Sequence, residues 1–485
     1  MNKKQSFNPY LPNYEYIPDG EPHIFGERLY IYGSHDRFGG TTYCQNDYVC
    51  WSAPLSDLKD WRFEGEIYSK TQHPHKEVAE ELFAPDVAQG PDGRYYLYYS
   101  VAHSSRMSVA VCDTPAGRYE YLGDMKTEDG RVYGLLPGEM YQFDPGVFVD
   151  DDGSVYLYSG FCQANKPVLQ NGQLMPGCHM YRLAEDMMTI LEGLKIVIPR
   201  DFSCPKNAEY FEAPSMRKIN GKYFLIYSAR NDGLHYAVSD YPDRDFVYAG
   251  RIHSTSDIGL RGYTIEDPCY PVGNTHGSLI DLNGQYYIFD HRLTNKSSFS
   301  RQGVVEPVYF DKEGKVIQAE STSMGLNGEP LAGTGIYGTY IACVLRDLYS
   351  HEYETKEEKK KHMPMHTQDG EDREGEPNQY VAEVQNGSLI GFKYFDLSNT
   401  QKLSIVVRGK AEGKMLVSTD LDYKDMLPED YRFLGEIPVS VDSEEWQKIE
   451  AFVDLGCGVK PLQFIFIGEG IFDFKEFEIK IQNLI

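Results

Sequence analysis

The feature that most limits the fold is one short strand written five times. "LYIYGS" begins at Leu29, "YYLYYS" at Tyr95, "VYLYSG" at Val155, "YFLIYS" at Tyr223 and "YYIFDH" at Tyr286. The copies start about 60 to 70 residues apart, a period that belongs to repeated β units such as propeller blades. Each copy follows a turn signal, in order "FGER", "PDGR", "DDGS", "INGK" and "LNGQ", with glycine at or beside the positive-φ corner of a tight hairpin. Aromatic and β-branched residues fill the strands, and no sustained 3.6-residue periodicity separates them. The pattern predicts an all-β chain in which residues 1–325 form a five-bladed β-propeller.

About ten residues upstream of each copy stands a polar residue of the same kind. "YIPDGEPHIF" supplies Asp19, "LFAPDVAQG" Asp86, "QFDPGVFVD" Asp144, "YFEAPSMRK" Glu212 and "GNTHGSLID" His276. If the aromatic copy is the second strand of a hairpin, these residues hold equivalent places at the first. In a propeller that first strand lines the central channel, so four carboxylates and one histidine converge on one axis. A single Asp-Pro is most simply a turn cap. Five polar residues in register are harder to explain that way, because like charges held close raise one another's pKa and burial adds to the shift. Glycoside hydrolysis is a chemistry that uses such a cluster: one carboxyl stays protonated to donate to the leaving oxygen while another, ionised, activates water.

Composition removes other classes. A net charge of −26 argues against nucleic acid or an anionic membrane as partner. The 38 Tyr outnumber the 24 Phe and 3 Trp, which suits half-wet strands and sugar-binding surfaces. The 9 cysteines show no CxxC pair, and the Cys44–Cys50 spacing matches no common zinc knuckle, so free thiols in a reducing compartment are expected. "MNKKQSFNPYLPNYEY" has two lysines but no apolar stretch after them, so no signal peptide is expected and a cytoplasmic location is.

The quoted segments, together with "NPYLPNYEYIPDGEPHIFGERLYIYGSHD" and "NTHGSLIDLNGQYYIFDHR", resemble glycoside hydrolase family 43, five-bladed propellers that invert configuration and act mainly on arabinose- and xylose-containing glycans. The resemblance spans every blade. It places Asp19 on the general base, Glu212 on the general acid, and Asp144 on the third carboxylate, which orients the acid and modulates its pKa. It places His276 beside a water-ligated calcium or other ion, and Asp86 in a supporting "APD" position. Two departures stand out: Gly20 follows Asp19 where the family often has Pro, with Glu21 next, and Phe83 stands where Trp is frequent. Glu209 also precedes the fourth copy, but an odd separation puts it on the opposite strand face from Glu212. Phe83, Phe143, Arg292 and Asp86 are the candidate substrate contacts. Tyr141, Gln142, Arg301, His35 and Asp36 are weaker ones, which blade packing or ion pairing explains as easily. The expected substrate is an oligosaccharide or polysaccharide from which a pentose, α-L-arabinofuranose or β-D-xylose, is released. The alternatives are a non-catalytic glycan-binding propeller, a galactosidase, or a retaining fructofuranosidase, whose Asn-Asp-Pro-Asn and Arg-Asp-Pro motifs are not written here.

The C-terminal third changes character. Residues 326–378 read as a linker with an exposed charged loop, "SHEYETKEEKKKHMPMHTQDGEDREGE". Residues 379–485 return to short alternating strands with Gly- and Asn-marked turns, which predicts a β-sandwich. "GFKYFDL", "SIVVRGKAEGKMLVSTD" and "FIFIGEGIFDFKEFEI" resemble a family 6 carbohydrate-binding module. Tyr394 and Trp446 are its candidate sugar-stacking residues, against the simpler reading that both pack within the fold.

Overall fold

A computed structural model describes residues 4–76, 80–163, 165–350, 355–373, 378–397 and 401–481. Five four-stranded antiparallel sheets follow one another in sequence, each ordered outward from its first strand. The first strands are Glu21–Phe25, Asp86–Gln89, Gly146–Val149, Tyr210–Ile219 and Leu279–Leu282. The repeated aromatic segments are the second strands, Arg28–Tyr32, Tyr95–Ser100, Val155–Ser159, Lys222–Ala229 and Gln285–Thr294. The hairpins joining them turn on Gly26, Gly93, Gly153, Gly221 and Gly284, all at positive φ. In the last two, Asn220 and Asn283 are left-handed as well, the two-residue geometry that Asn-Gly favours because its twist matches that of the strands.

The blades stack through separate apolar cores, one for each neighbouring pair. Tyr32, Ile67, Leu97 and Tyr99 fill the space between blades one and two, and Tyr98, Val109, Leu157 and Tyr181 that between two and three. Tyr158, Met180, Leu225 and Tyr227 join three to four, and Ile226, Tyr236, Ile288 and Val308 four to five. The ring closes where Leu29, Ile31 and Trp51 of blade one meet Phe289 and Val305 of blade five. Alternate residues of each aromatic strand therefore serve the two flanking cores, which is why the copies are apolar on both faces.

The C-terminal unit is a β-sandwich around a phenylalanine-rich core that includes Phe392, Phe395, Phe464, Phe474 and Phe477. Its central strand, Gly458–Ile481, pairs along its length with Gln401–Ser418 and, on its other edge, with Ser388–Leu397 and then Tyr380–Val384. The stretch 326–378 is more than a linker. Leu331–Ala332 and Val344–Asp347 pair with Ser388–Leu397, Gly335–Gly338 pairs with the central strand, and Met365–Thr367 pairs with Tyr380–Val384. The charged segment carries a short helix, Lys356–His362; residues 351–354 and 374–377 of it lie outside the described residues.

The two units share a buried polar seam. Lys393 is buried between Asp257 at 2.9 Å and Glu320 at 3.1 Å, and Arg261 bonds both of the same carboxylates. Breaking such a buried network by removing one member costs about 3–5 kcal/mol.

Candidate active site

The first strands converge on one mouth of the channel, where a pocket of about 260 Å³ is lined by Asp19, Asp144, Glu212, His276, Phe83 and Phe143 among others. Two of the carboxylates enter it through unusual backbone. Asp19 sits at φ 58° and Asp144 at φ 48°, left-handed positions that cost most residues roughly 1–2 kcal/mol and that Asp tolerates better than most. Two glycines allow the strands to crowd together. A Cβ on Gly146 would lie 2.1 Å from the Pro214 carbonyl oxygen, and one on Gly277 would lie 1.8 Å from that of Phe289. Asp144 and His276 are thereby held against the neighbouring strands.

All the channel groups are withdrawn from water: relative exposures are 4% for Asp19 and Asp144, 8% for Glu212, 2% for His276 and 0% for Glu21. What separates them is their partners. Arg301 donates to Asp19 at 2.9 Å and is itself fixed by Asp36 at 2.8 Å. Burial pushes the Asp19 carboxyl up most strongly, but the Arg301 charge, together with smaller contributions from neighbours that include His276, outweighs it and holds the group below the usual carboxylate range. Nε2 of His291 donates to the Asn274 carbonyl at 2.9 Å, leaving Nδ1 to accept from the Asp19 N–H at 3.3 Å; burial keeps this ring neutral. Glu212 has no such cation. Burial and then the neighbouring Asp144 charge raise its carboxyl well above the usual range. Asp144 is raised by burial too, and His276 opposes the rise.

His276 lies between two carboxylates, 3.6 Å from Asp144 and 3.7 Å from Glu21. Burial would lower its pKa, but the Asp144 and Glu21 carboxylates on either side, with the Asp19 charge beyond, outweigh that and raise it well above that of a free histidine. The ring is thus a cation toward the chain's own residues. Glu21 is pulled the other way, down to about 2, because His276 and Arg217, the latter at 2.9 Å, overcome its burial.

Phe83, Phe143, Phe161 and Phe211 form a continuous arc around the pocket, with successive ring centroids 5.6, 5.2 and 5.1 Å apart. Tyr43 and Cys44 close the opposite side, the Tyr43 ring lying 4.9 Å from the Arg301 guanidinium. Asn274 also lines this pocket, its amide oxygen buried and without a hydrogen-bond partner among the described residues.

Of the residues singled out from sequence, Asp19, Asp144, Glu212, His276, Phe83 and Phe143 meet at this pocket. Glu209 is exposed outside it. Two substrate candidates lie elsewhere. Asp86 is sealed below the pocket, accepting from Val87 and Val147 N–H groups and paired with His23 at 2.6 Å, so its oxygens are already used. Arg292 points into the seam with the C-terminal unit, donating to the Tyr340 carbonyl at 2.7 Å and the Ala342 carbonyl at 3.2 Å. Arg301 contacts carboxylates, and Gln142 bonds Tyr181 at 2.9 Å within blade three. Sequence reasoning missed Glu21 as a channel residue, and His291, Tyr43, Cys44, Asn274, Phe161 and Phe211. A usable signal existed for two of them: Glu21 shares a strand face with Asp19 two residues away, and Phe211 precedes Glu212 as Phe143 precedes Asp144.

A ring of blades with carboxylates in opposed electrostatic settings at its axial pocket is the form of a propeller glycosidase. The chain belongs to glycosyl hydrolases family 43, whose model matches residues 18–316. It is 42% identical over 488 residues to a xylosidase/arabinosidase of Thermoclostridium stercorarium, covering 98% of this chain and 99% of that one. A xylosidase/arabinosidase 43A of Humicola insolens is 30% identical, over 62% of this chain and 96% of its own. Among solved structures, a Bacillus subtilis family 43 arabinoxylan arabinofuranohydrolase with bound cellotetraose shares the fold over 98% of this chain and 97% of its own, with TM-score 0.51 and 20% identity. A β-xylosidase/α-arabinofuranosidase from a compost metagenome, in complex with xylotriose and described as the calcium-free form, matches 64% of this chain and 96% of its own, with TM-score 0.51 and 25% identity.

Proposed function

We propose that the chain is an inverting, exo-acting glycosidase that releases single pentoses, α-L-arabinofuranose or β-D-xylose, from plant-type glycans and their oligosaccharides. The observation that carries this reading is the opposed setting of two carboxyls on one small pocket. Arg301 keeps Asp19 ionised, while burial and Asp144 keep Glu212 protonated. Relatives named xylosidase/arabinosidase support the choice of pentose.

In this mechanism Glu212 gives its proton to the glycosidic oxygen as that bond breaks. Asp19 takes a proton from a water that attacks the anomeric carbon from the opposite face, so the configuration inverts. Turnover leaves Glu212 ionised and Asp19 protonated, and exchange with solvent resets both. Asp144 helps keep the proton on Glu212 between turnovers, and the phenylalanine arc excludes bulk water and strengthens each electrostatic contact. The size of the pocket supports exo action. A pocket of about 260 Å³ is below the roughly 300 Å³ at which drug-sized ligands begin to fit, and it suits one sugar ring.

A hydrated calcium could take the place of the His276 proton at the base of this site, held by Glu21 and a then neutral His276. His276 Nε2 and Glu21 Oε1 are buried without hydrogen-bond partners and lie 3.7 Å apart, too far to bond each other, and water completes a hard-oxygen shell. Bound there, the ion would supply a positive centre beneath the carboxylates, a role the His276 cation fills in its absence. The C-terminal unit, despite its likeness to a family 6 carbohydrate-binding module, acts in this reading as a structural partner. Tyr394 is engaged with Glu320 at 2.7 Å, and Trp446 lies 4.3 Å beneath the Arg408 guanidinium with Tyr380 at its edge. Assaying aryl α-L-arabinofuranoside, β-D-xyloside and β-D-galactoside tests the assignment; turnover confined to the galactoside would overturn it.

A further inference from the structure

The wall of the pocket that carries Tyr43 and Cys44 is a loop, residues 33–47, with no regular secondary structure. It is laced internally, the Asn46 N–H donating to the His35 carbonyl and the Cys44 N–H to Asp36 at 3.0 Å, while its tip around Thr41 and Thr42 is exposed. Loops that line a site need something rigid to place them. Here the propeller supplies part of that support, Arg301 holding Asp36 and Lys70 donating to the Gln45 carbonyl at 2.6 Å, and a further clamp comes from outside the propeller. After the strand Met365–Thr367, which is paired into the C-terminal sheet, residues 368–373 run against blade one as a strap. On that strap Asp372 accepts from the Phe38 N–H at 2.8 Å with one carboxylate oxygen and from the Asn46 amide at 2.9 Å with the other. It thus clamps both limbs of the loop with one side chain.

Neighbouring contacts fix the strap and carry its hold to the pocket. Gln368 accepts from the Tyr16 hydroxyl at 2.6 Å, and Arg373 binds Glu15 and donates to His35 at 3.1 Å. The same segment also holds the opposite hairpin: the Asn295 N–H donates to the His366 carbonyl at 2.7 Å, and Thr367 donates to the Asn295 side chain at 3.0 Å. That hairpin presents Phe299, whose ring meets Tyr43 edge-on at 4.8 Å. Both elements that place Tyr43 are therefore tied to one strap of the C-terminal unit.

We infer that Asp372 is a positioning residue of the catalytic pocket: by clamping residues 38 and 46 it sets Tyr43 at the mouth, so the C-terminal unit shapes substrate recognition by the propeller. The inference rests on the proposed reading of the pocket as a glycosidase site. Asp372 touches neither Asp19 nor Glu212, so its loss acts on binding more than on bond breaking.

The test compares Asp372→Ala, the nearly isosteric Asp372→Asn, Tyr43→Ala and the double variant Asp372→Ala/Tyr43→Ala in the full chain. Losing a charge-assisted hydrogen bond predicts a KM for aryl xyloside and arabinofuranoside raised about tenfold in Asp372→Ala, with kcat within about threefold. Asp372→Asn, which keeps one acceptor, falls between it and the wild type. The double variant loses no more than the worse single one, because both act through one side chain. Hydrogen exchange should quicken in residues 37–46 of Asp372→Ala. An unchanged KM in both Asp372 variants, fully additive losses, or unchanged exchange in that loop would overturn the inference. If the wild type hydrolyses neither glycoside, the function reading itself fails, and the exchange comparison still decides whether the strap holds the loop.

Discussion

Replacing Glu212 with Gln separates its role as proton donor from any role in binding. Gln matches the carboxyl in shape and is neutral, as Glu212 is when burial and the Asp144 charge hold its proton on, so the change leaves the local charge as it was. General acid catalysis contributes about 10²–10⁴ in rate. Substrates with a sugar leaving group should therefore slow by about that factor, roughly 2.7–5.4 kcal/mol of barrier at 1.36 kcal/mol per tenfold. An activated dinitrophenyl glycoside departs as a stable anion and should lose less than about tenfold. The pH profile carries the same signature. A donor with a raised pKa works below that pKa and is lost as pH rises through it; a base with a lowered pKa works above it and is lost as pH falls through it. Glu212 thus sets the alkaline limb and Asp19 the acid limb. The assay is kcat/KM against pH for a xylo-oligosaccharide and an activated aryl glycoside, in wild type and Glu212→Gln. Equal losses on both substrates, or an alkaline limb that survives for the activated one, would refute the assignment.

Arg301→Gln strips a cation from two buried carboxylates at once, so unfolding should show a loss of about 3–5 kcal/mol. With its chief counter-charge gone, Asp19 should protonate more readily, and the acid limb should move to higher pH; a stationary limb would contradict the cause given for the shift. Exhaustive chelation followed by calcium should lower and then restore activity if an ion sits at His276 and Glu21, and His276→Ala should not respond to added calcium. Full activity after chelation would mean that the His276 cation serves beneath the carboxylates without an ion.

The propeller was legible because its rules are local. A blade hairpin is announced by an aromatic strand and a glycine turn a few residues away, and five copies leave little freedom in how they close. The C-terminal strands Leu331–Ala332 and Val344–Asp347 were not, because they are short and pair with Ser388–Leu397, more than 40 residues away, so no neighbouring pattern marks them. At the site, equivalent positions in the repeat led to Asp19, Asp144, Glu212 and His276. Arg292, expected as a substrate contact, lies elsewhere, and its neighbour His291 went unread. Alternation sends neighbouring side chains to opposite faces, so His291 reaches Asp19 while Arg292 leaves for the C-terminal unit. Asp86 obeys the repeat yet sits one layer too deep, where the Val147 N–H and His23 claim it. Tyr43 lies on a loop whose place is set by Asp372, 329 residues later in the sequence, and nothing near Tyr43 records that.

The central claim is that Asp19 activates water on one face of the sugar while Glu212 protonates the leaving oxygen on the other. Proton NMR of the first product formed from an aryl β-D-xyloside or α-L-arabinofuranoside, recorded before mutarotation, tests it most directly. The account predicts initial release of α-xylose from the β-xyloside and of β-arabinose from the α-arabinofuranoside. Initial appearance of the anomer matching the substrate would contradict it, since retention requires a covalent glycosyl-enzyme and would make Asp19 a nucleophile instead of a base.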